Sequence, residues 1–331
     1  DCDDWSWRPI WKPTYAEVEP DQVENFGADT PENWLIFEDE TGLGADLAEK
    51  LRAAGHTVTS AVPGDAFAKM GENHFSLAVE RGQDSFDALL ADLAEHDRMP
   101  NRIVHAWLVT GDKERARPGS SFFHRLQEQG FWSLFHFARA WGEADGGDAH
   151  LSVLTSEAAA VADEELRYPA KSTVAGPARV IPHEFPGITI RTLDVPAPAG
   201  LMGKTSGLVH VFEEILAKPS NGVAALRNGR RFEQIWRPAK LPEAESFTVE
   251  AGQTILLTGG LGGIGLTLTE ALVAKGAKVA ILTRSDLPPR EDWARIIRLA
   301  PRTDRVARRL RRLMEIDPDG QNTHVTVSYT H

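Results

Sequence analysis

The segment that most constrains this chain is Thr254-Ile-Leu-Leu-Thr-Gly-Gly-Leu-Gly-Gly-Ile-Gly265. Thr254 to Leu257 form an apolar run that does not alternate with polar residues, the pattern of a strand buried on both faces in a parallel sheet. Five glycines follow, and then a helical pattern in which Leu268, Ala271, Leu272 and Val273 share one broad face. Gly276 stands where a helix C-cap belongs. A strand that turns through glycines into a helix places unpaired amides and the positive end of the helix dipole at one point, where a phosphate binds. The glycines have separate tasks there: a tight turn, close backbone approach to a pyrophosphate, and close packing of helix on strand.

A second apolar run, Val279 to Leu282, completes a β-α-β unit, and Thr283-Arg284-Ser285 lies at its end. Arg284 comes 19 positions after Gly265, where an acidic residue would bind the ribose 2′-hydroxyl of NAD. An arginine suits the 2′-phosphate of NADP instead, through a charge-assisted contact. The candidate cofactor residues are therefore Thr258, Gly259, Gly260, Leu261, Gly262, Gly263, Ile264, Gly265, Thr283, Arg284 and Ser285, with NADPH as the expected cofactor.

A segment 221 positions earlier follows the same order. Trp34-Leu-Ile-Phe37 precedes Gly42-x-Gly44, a helical pattern through Leu51, Gly55, and a strand at Val58. A shift of 221 without a gap places Gly44 on Gly265, Leu51 on Leu272, Gly55 on Gly276 and Val58 on Val279. This reads as an internal duplication. Under that shift Gly259 and Gly260 are replaced by Glu38 and Asp39, whose charge repels a pyrophosphate and whose side chains fill the approach. The first copy is expected to fold as a nucleotide domain and to bind no nucleotide.

The rest of the front part alternates in the α/β manner. Phe86, Leu89, Leu90 and Leu93 give a helix stripe, and Ile103–Val109, Leu151–Leu154 and Ile188–Val195 read as strands. Phe131 to Trp141 reads as a helix apolar nearly all round, for which core is the first reading and a partner surface the alternative. Trp5, Trp7 and Trp11 around Pro9 suit an edge strand. Asp21–Glu32 reads as a loop and Tyr168–Pro186 as an irregular excursion. Leu208–Leu216 reads as a helix, and Val223–Trp236 as a hairpin turning at Asn228-Gly229. The stretch Arg302 to Arg312 holds six arginines, with Val306, Leu310 and Leu313 at helical spacing; a solvated face and a dock for an acidic partner both fit it. Val325 to Val327 begins a third parallel strand. Boundaries fall at 1–240 for the first subdomain, 241–251 for a Pro- and Glu-rich linker, and 252–331 for the second.

The formal charge of −12 opposes general nucleic-acid binding, which needs a basic footprint. Cys2 is the single cysteine, so a disulfide framework is excluded and a reducing cytoplasm expected. No run of 18 apolar residues is present for a membrane span. His124 and His136 lack cysteines or clustered carboxylates at ligand spacing, so no metal is expected.

Together these motifs resemble the ketoreductase region of a modular type I polyketide synthase, in which a short-chain-dehydrogenase fold follows a degenerate copy of itself. Trp7-Arg-Pro-Ile-Trp11 resembles the first strand of the structural subdomain, Tyr168-Pro-Ala-Lys171 through Asp194 its late segment, and Leu226-Arg-Asn-Gly-Arg-Arg-Phe232 its closing hairpin. The glycine loop is similar to the family's NADPH loop. The resemblance implies two tandem Rossmann-like α/β subdomains, the first degenerate and the second truncated after its third strand. It also implies NADPH-dependent reduction of a β-ketoacyl thioester tethered through phosphopantetheine to an acyl carrier protein, beside neighbouring synthase domains. In that family a tyrosine aided by serine, lysine and asparagine protonates the alkoxide. Only 66 residues follow Gly265, which leaves no room for that serine and tyrosine. Tyr329 has no Tyr-x-x-x-Lys or Tyr-x-x-x-Asn continuation, and Tyr168-Pro-Ala-Lys171 has the wrong spacing and subdomain. No catalytic residue is assigned, and the chain is not expected to turn over alone. A structural pseudo-ketoreductase and a free-standing short-chain dehydrogenase fusion are the alternatives.

Overall fold

The computed structural model describes residues 5–111, 116–161, 164–196, 205–240, 248–284 and 287–327. They gather into two compact units, Asp1–Lys240 and Leu241–His331.

The first unit is built on a ten-stranded sheet. Its strands are β1 (Trp7–Thr14), β2 (Asn33–Phe37), β3 (Thr57–Pro63), β4 (Ala68–Gly71), β5 (His74–Leu77), β6 (Arg102–Leu108), β7 (Ala149–Ser156), β8 (Ile188–Val195), β9 (Gly222–Arg227) and β10 (Arg230–Pro238). Their order is β1-β10-β9-β8-β7-β6-β2-β3-β5-β4. The stretch from β9 to β5 is parallel, while β10 and β1 at one edge and β4 at the other are antiparallel to their neighbours. The hairpin from β9 to β10 turns at Asn228 and Gly229, both with positive φ, as its Asn-Gly pair requires.

The central strands read as unbroken apolar runs because both faces are covered. Leu35 and Phe37 pack in one core with Phe86, Phe137 and Ile181. Trp34 and Ile36 point the other way, into a core with Leu47 and Phe212. The first face receives α3 (Asp84–Glu95), α5 (Ser133–Glu143) and α6 (Ala175–Glu184), and the second receives α2 (Leu43–Ala53) and α7 (Thr205–Leu216). For this numbering α1 is Pro20–Glu24 and α4 is Ser121–Gln127.

Several expectations are corrected here. The segment Tyr168–Pro186 is largely helical: a 3₁₀ turn over Pro169–Val174 leads into α6. Pro177 falls in the first turn, where no intrahelical donor is lost, and burial of Ala178 and Ile181 outweighs Pro182 in the last turn. The segment Asp21–Glu32 contains part of the short α1, started by Pro20. The aromatic helix is not core all round. Leu134, Phe137 and Trp141 are buried, but Trp132 and Phe135 are exposed on the opposite side, where a π turn over Glu128–Trp132 re-phases the helix.

The second unit holds a parallel sheet in the order β11-β12-β13, with β11 Thr254–Thr258, β12 Lys278–Thr283 and β13 Thr323–Val327. Between the strands run α8 (Gly263–Ala274), α9 (Trp293–Leu299) and α10 (Arg305–Ile316). Val279, Ile281, Trp293, Leu310 and Leu313 form its core. On α8 the expected apolar face divides: Leu272 and Val273 pack on the core, while Leu268 is exposed. The buried stripe of α10 is Ala307, Leu310 and Leu313, and Val306 is exposed. A three-stranded sheet is too narrow to cover wider stripes.

The duplication extends to single backbone bonds. Strand β2 pairs with β3 from Asn33 opposite Thr57, and β11 with β12 from Thr254 opposite Lys278, both pairs offset by 221. The bond from Glu38 N–H to the Ala61 carbonyl recurs from Gly259 to Leu282, and that from His56 to Leu51 recurs from Ala277 to Leu272. Gly55 and Gly276 both take positive φ at the helix end, the left-handed cap that glycine adopts without strain.

Candidate functional site

The glycine loop joins β11 to α8. Gly259 turns the chain with φ +68°, and its N–H donates to the Leu282 carbonyl at 3.0 Å, tying the loop to the end of β12. A Cβ on Gly260 would come within 2.7 Å of Ile281, and one on Gly265 within 2.5 Å of the Gly260 Cα. The helix start is therefore packed backbone on backbone against the loop, and the loop against the Ile281 side chain of β12. Gly262 is the N-cap of α8, and no side chain of its own caps the helix. A Cβ on Gly263 would meet nothing within 4 Å. The outer side of the loop is open, its inner side is closed, and the first amides of α8 face the opening. This is the shape in which a pyrophosphate fits.

Side chains of the loop divide by position. Thr258 ends β11 and is exposed, Leu261 is buried in the unit's core, and Ile264 is 81% exposed. Leu261 thus contributes only its backbone to any ligand contact. Thr283 ends β12 half-buried, and Arg284 follows it, exposed. Ser285 lies outside the described residues.

The first unit supplies an internal comparison. Asp39 occupies the position of Gly260 under the constant shift of 221. Its carboxylate accepts from the Gly44 N–H at 2.7 Å and the Thr41 N–H at 2.8 Å, and from the Thr41 hydroxyl. Gly44 is the second residue of α2, so the carboxylate satisfies one helix N-terminal donor that would otherwise face a ligand. The sequence marks Asp39 as a repelling charge; the structure adds that it is an anion bound in the cradle. Gly44 itself corresponds to Gly265, and a Cβ there would come within 2.8 Å of the Glu38 Cα.

The Tyr168-Pro-Ala-Lys171 segment belongs to a closed cluster that sequence spacing did not reveal. Lys171 is fully buried, and its Nζ donates to the Thr110 hydroxyl, the Ser156 hydroxyl and the Ser156 carbonyl, each at 2.8 Å. The same Nζ lies 4.4 Å from the Tyr168 ring centroid. Thr110 and Ser156 come from the ends of β6 and β7, joined by a bond from the Thr110 N–H to the Ser156 hydroxyl. With Tyr168 1% exposed, the cluster offers no face to a substrate and acts as an internal brace. Cys2 and Tyr329 lie outside the described residues.

His105 and His150 are buried in the first unit, and burial lowers both to about 3, with Arg102 and Arg191 adding to the effect at His150. They are neutral core groups. Among the described residues, no group of three His, Cys, Asp or Glu could hold a metal, and no helix is long and apolar enough to cross a membrane.

The family model described as beta-ketoacyl synthase-like, N-terminal, matches residues 32–214. The 6-methylsalicylic acid synthase of Aspergillus terreus is 32% identical over 162 residues, 47% of this chain and 8% of that protein. A structure of the adenylation, ketoreductase and pseudo Asub domains of a keto acid-selecting NRPS module superposes with TM-score 0.74 at 22% identity, over 99% of this chain and 25% of that one. A C2-type ketoreductase from a modular polyketide synthase superposes with TM-score 0.56 at 19% identity, over 98% of this chain and 59% of that one. The chain thus spans a small part of the curated relative and less than two thirds of each of these solved structures.

Proposed function

This chain belongs to the beta-ketoacyl synthase-like N-terminal family and has the fold of ketoreductase regions, and from that premise we propose that it is the cofactor-binding part of an NADPH-dependent polyketide ketoreductase. The substrate class is a β-ketoacyl thioester carried by an acyl carrier protein, and the product is the β-hydroxyacyl thioester. The second unit, with residues 252–331, carries the dinucleotide site. The first is a structural copy that binds no nucleotide. Residues 241–251 act as the linker.

One contrast carries this reading. Asp39 fills the helix N-terminus of the first copy, and at the matching position the second copy has Gly260. The amides of α8 are therefore left for an external anion, and the loop admits one because Gly262 and Gly263 present no side chain. NADPH, when bound, supplies the hydride. The protein's own residues hold it: the loop amides orient the pyrophosphate, and Arg284 takes the 2′-phosphate through its guanidinium fork. No residue of this chain is assigned as the acid that protonates the product oxygen, since the buried Tyr168–Lys171 cluster cannot reach a substrate.

The test is a fluorescence titration of the full chain with NADPH and NADH. NADPH is expected to bind at least about tenfold more tightly, which is one charge-assisted contact. Equal affinities would remove the role given to Arg284, and no binding of either would overturn the cofactor assignment.

A further inference from the structure

The arginine-rich stretch forms a wall of the glycine-loop site. Arg305, Arg308, Arg309 and Arg312 line a groove of about 530 Å³ that Gly262 and Gly263 also line. Their spacing of three and four places them on one face of α10, while Ala307, Leu310 and Leu313 turn inward to the core. Of the carboxylates near this face, Arg312 pairs with Glu270 at 2.5 Å and Glu315 at 3.1 Å, and Asp304 at the helix start accepts from the Ala307 N–H at 2.7 Å. Among the described residues, Arg305, Arg308 and Arg309 have no ion pair or hydrogen bond to a carboxylate. Like charges one turn apart repel, and here Arg305 and Arg308, exposed, and Arg309, half-buried, share one groove with the glycine loop. An ordinary solvated helix face has no such neighbour.

We propose that this groove receives the 2′-phosphate end of the dinucleotide, so that Arg308 and Arg309 join Arg284 in distinguishing NADPH from NADH. The inference rests on the cofactor reading above. A phosphate monoester carries close to two negative charges at neutral pH and three acceptor oxygens, more than the fork of Arg284 alone can satisfy. Guanidinium groups on successive helical turns supply the additional donors in the planar geometry phosphate oxygens accept. Arg312, held by its two carboxylates, sets the far limit of the basic wall.

The experiment compares the wild-type chain, the R308Q/R309Q double variant and R298Q, whose arginine lies on α9 outside the groove. Each is titrated with NADPH and NADH by fluorescence, with 2′,5′-ADP and 5′-ADP as competitors, after circular dichroism confirms the fold. The double variant should bind NADPH about tenfold or more weakly, have its preference for 2′,5′-ADP over 5′-ADP reduced by a similar factor, to what Arg284 alone supplies, and keep its NADH affinity. R298Q should match wild type. Unchanged NADPH affinity in the double variant, or equal losses for NADPH and NADH, would overturn the groove's role and leave the cofactor reading standing. Wild-type protein that binds neither dinucleotide would overturn that reading, and this inference with it.

Discussion

Replacing Asp39 by alanine tests the reading of the front unit as a cradle closed by its own anion. The side chain accepts from two backbone amides, Gly44 at 2.7 Å and Thr41 at 2.8 Å. Loss of a helix-capping acceptor costs about 1 kcal/mol and up to about 2, and a carboxylate at a helix N-terminus adds about 0.3–1 kcal/mol through the dipole. The loop is only partly buried, so water recovers some of the loss, and about 2 kcal/mol is expected overall. For a unit of 240 residues this lowers Tm by about 4–8 °C. Eight of the nine tryptophans lie in that unit, so thermal and urea unfolding followed by tryptophan fluorescence reports on it directly. Asp39→Asn keeps an acceptor oxygen without the charge and should lose about half as much. Glu38→Ala is the control, since its backbone bond to Ala61 survives the change, and it should fall within about 0.5 kcal/mol of wild type. An Asp39→Ala protein that melts within about 1 °C of wild type would show that the carboxylate does not hold the helix end.

Two further outcomes follow from the same geometry. Gly44→Ala and Gly265→Ala each press a Cβ against backbone, at 2.8 Å and 2.5 Å respectively, and each should destabilise its unit by about 1–3 kcal/mol in urea titrations. Only Gly265→Ala should also weaken NADPH binding in the fluorescence assay. The second outcome concerns pH: His105 and His150 have folded pKa values of about 3, below the unfolded value of about 6.5. The unfolded chain therefore binds more protons between these limits, and stability falls as pH drops through 6.5 toward 3. At pH 5 the loss is about 2 kcal/mol per histidine, read as a fall in the urea midpoint from pH 8 to pH 5 that is reduced in His105→Gln.

The duplicated β-α-β unit was legible in the sequence because its copies align without a gap, so residues such as Gly55 and Gly276 mark the same helix end twice. The glycine loop was legible because only glycine permits the contacts between Gly260, Gly265 and the strand beneath. What the carboxylate of Asp39 does was not legible. Sequence gives its charge, but whether that charge repels a ligand or grips an amide depends on the side chain's direction. The Lys171 cluster was hidden for a related reason: Thr110 and Ser156 reach it from the ends of two strands far apart in sequence. Helix α6 was obscured by its prolines, whose cost is local and visible, while the burial that offsets it is tertiary. The faces of α8 and α10 were misjudged at Leu268 and Val306 because periodicity shows which residues share a side, and the width of the sheet decides how much of that side is covered.

The two copies also separate what a glycine fingerprint means for folding from what it means for binding. Gly44 persists in a loop whose amides are already occupied by Asp39, so its presence has nothing to do with a phosphate. A Cβ there would strike the Glu38 backbone just as one at Gly265 would strike Gly260. This last glycine of the fingerprint is a packing requirement in both units. Gly263 is different: the space before it is open, and no contact within the protein demands the absence of a side chain. Gly260 combines both roles, since a Cβ would meet Ile281 and a carboxylate in that place would seal the helix end as Asp39 does. The positions that distinguish the binding loop from its structural relative are therefore those where the first copy carries Glu38, Asp39 and Thr41 in place of Gly259, Gly260 and Gly262, and a reading of such loops that weighs all glycines equally credits the fold's requirements to the ligand.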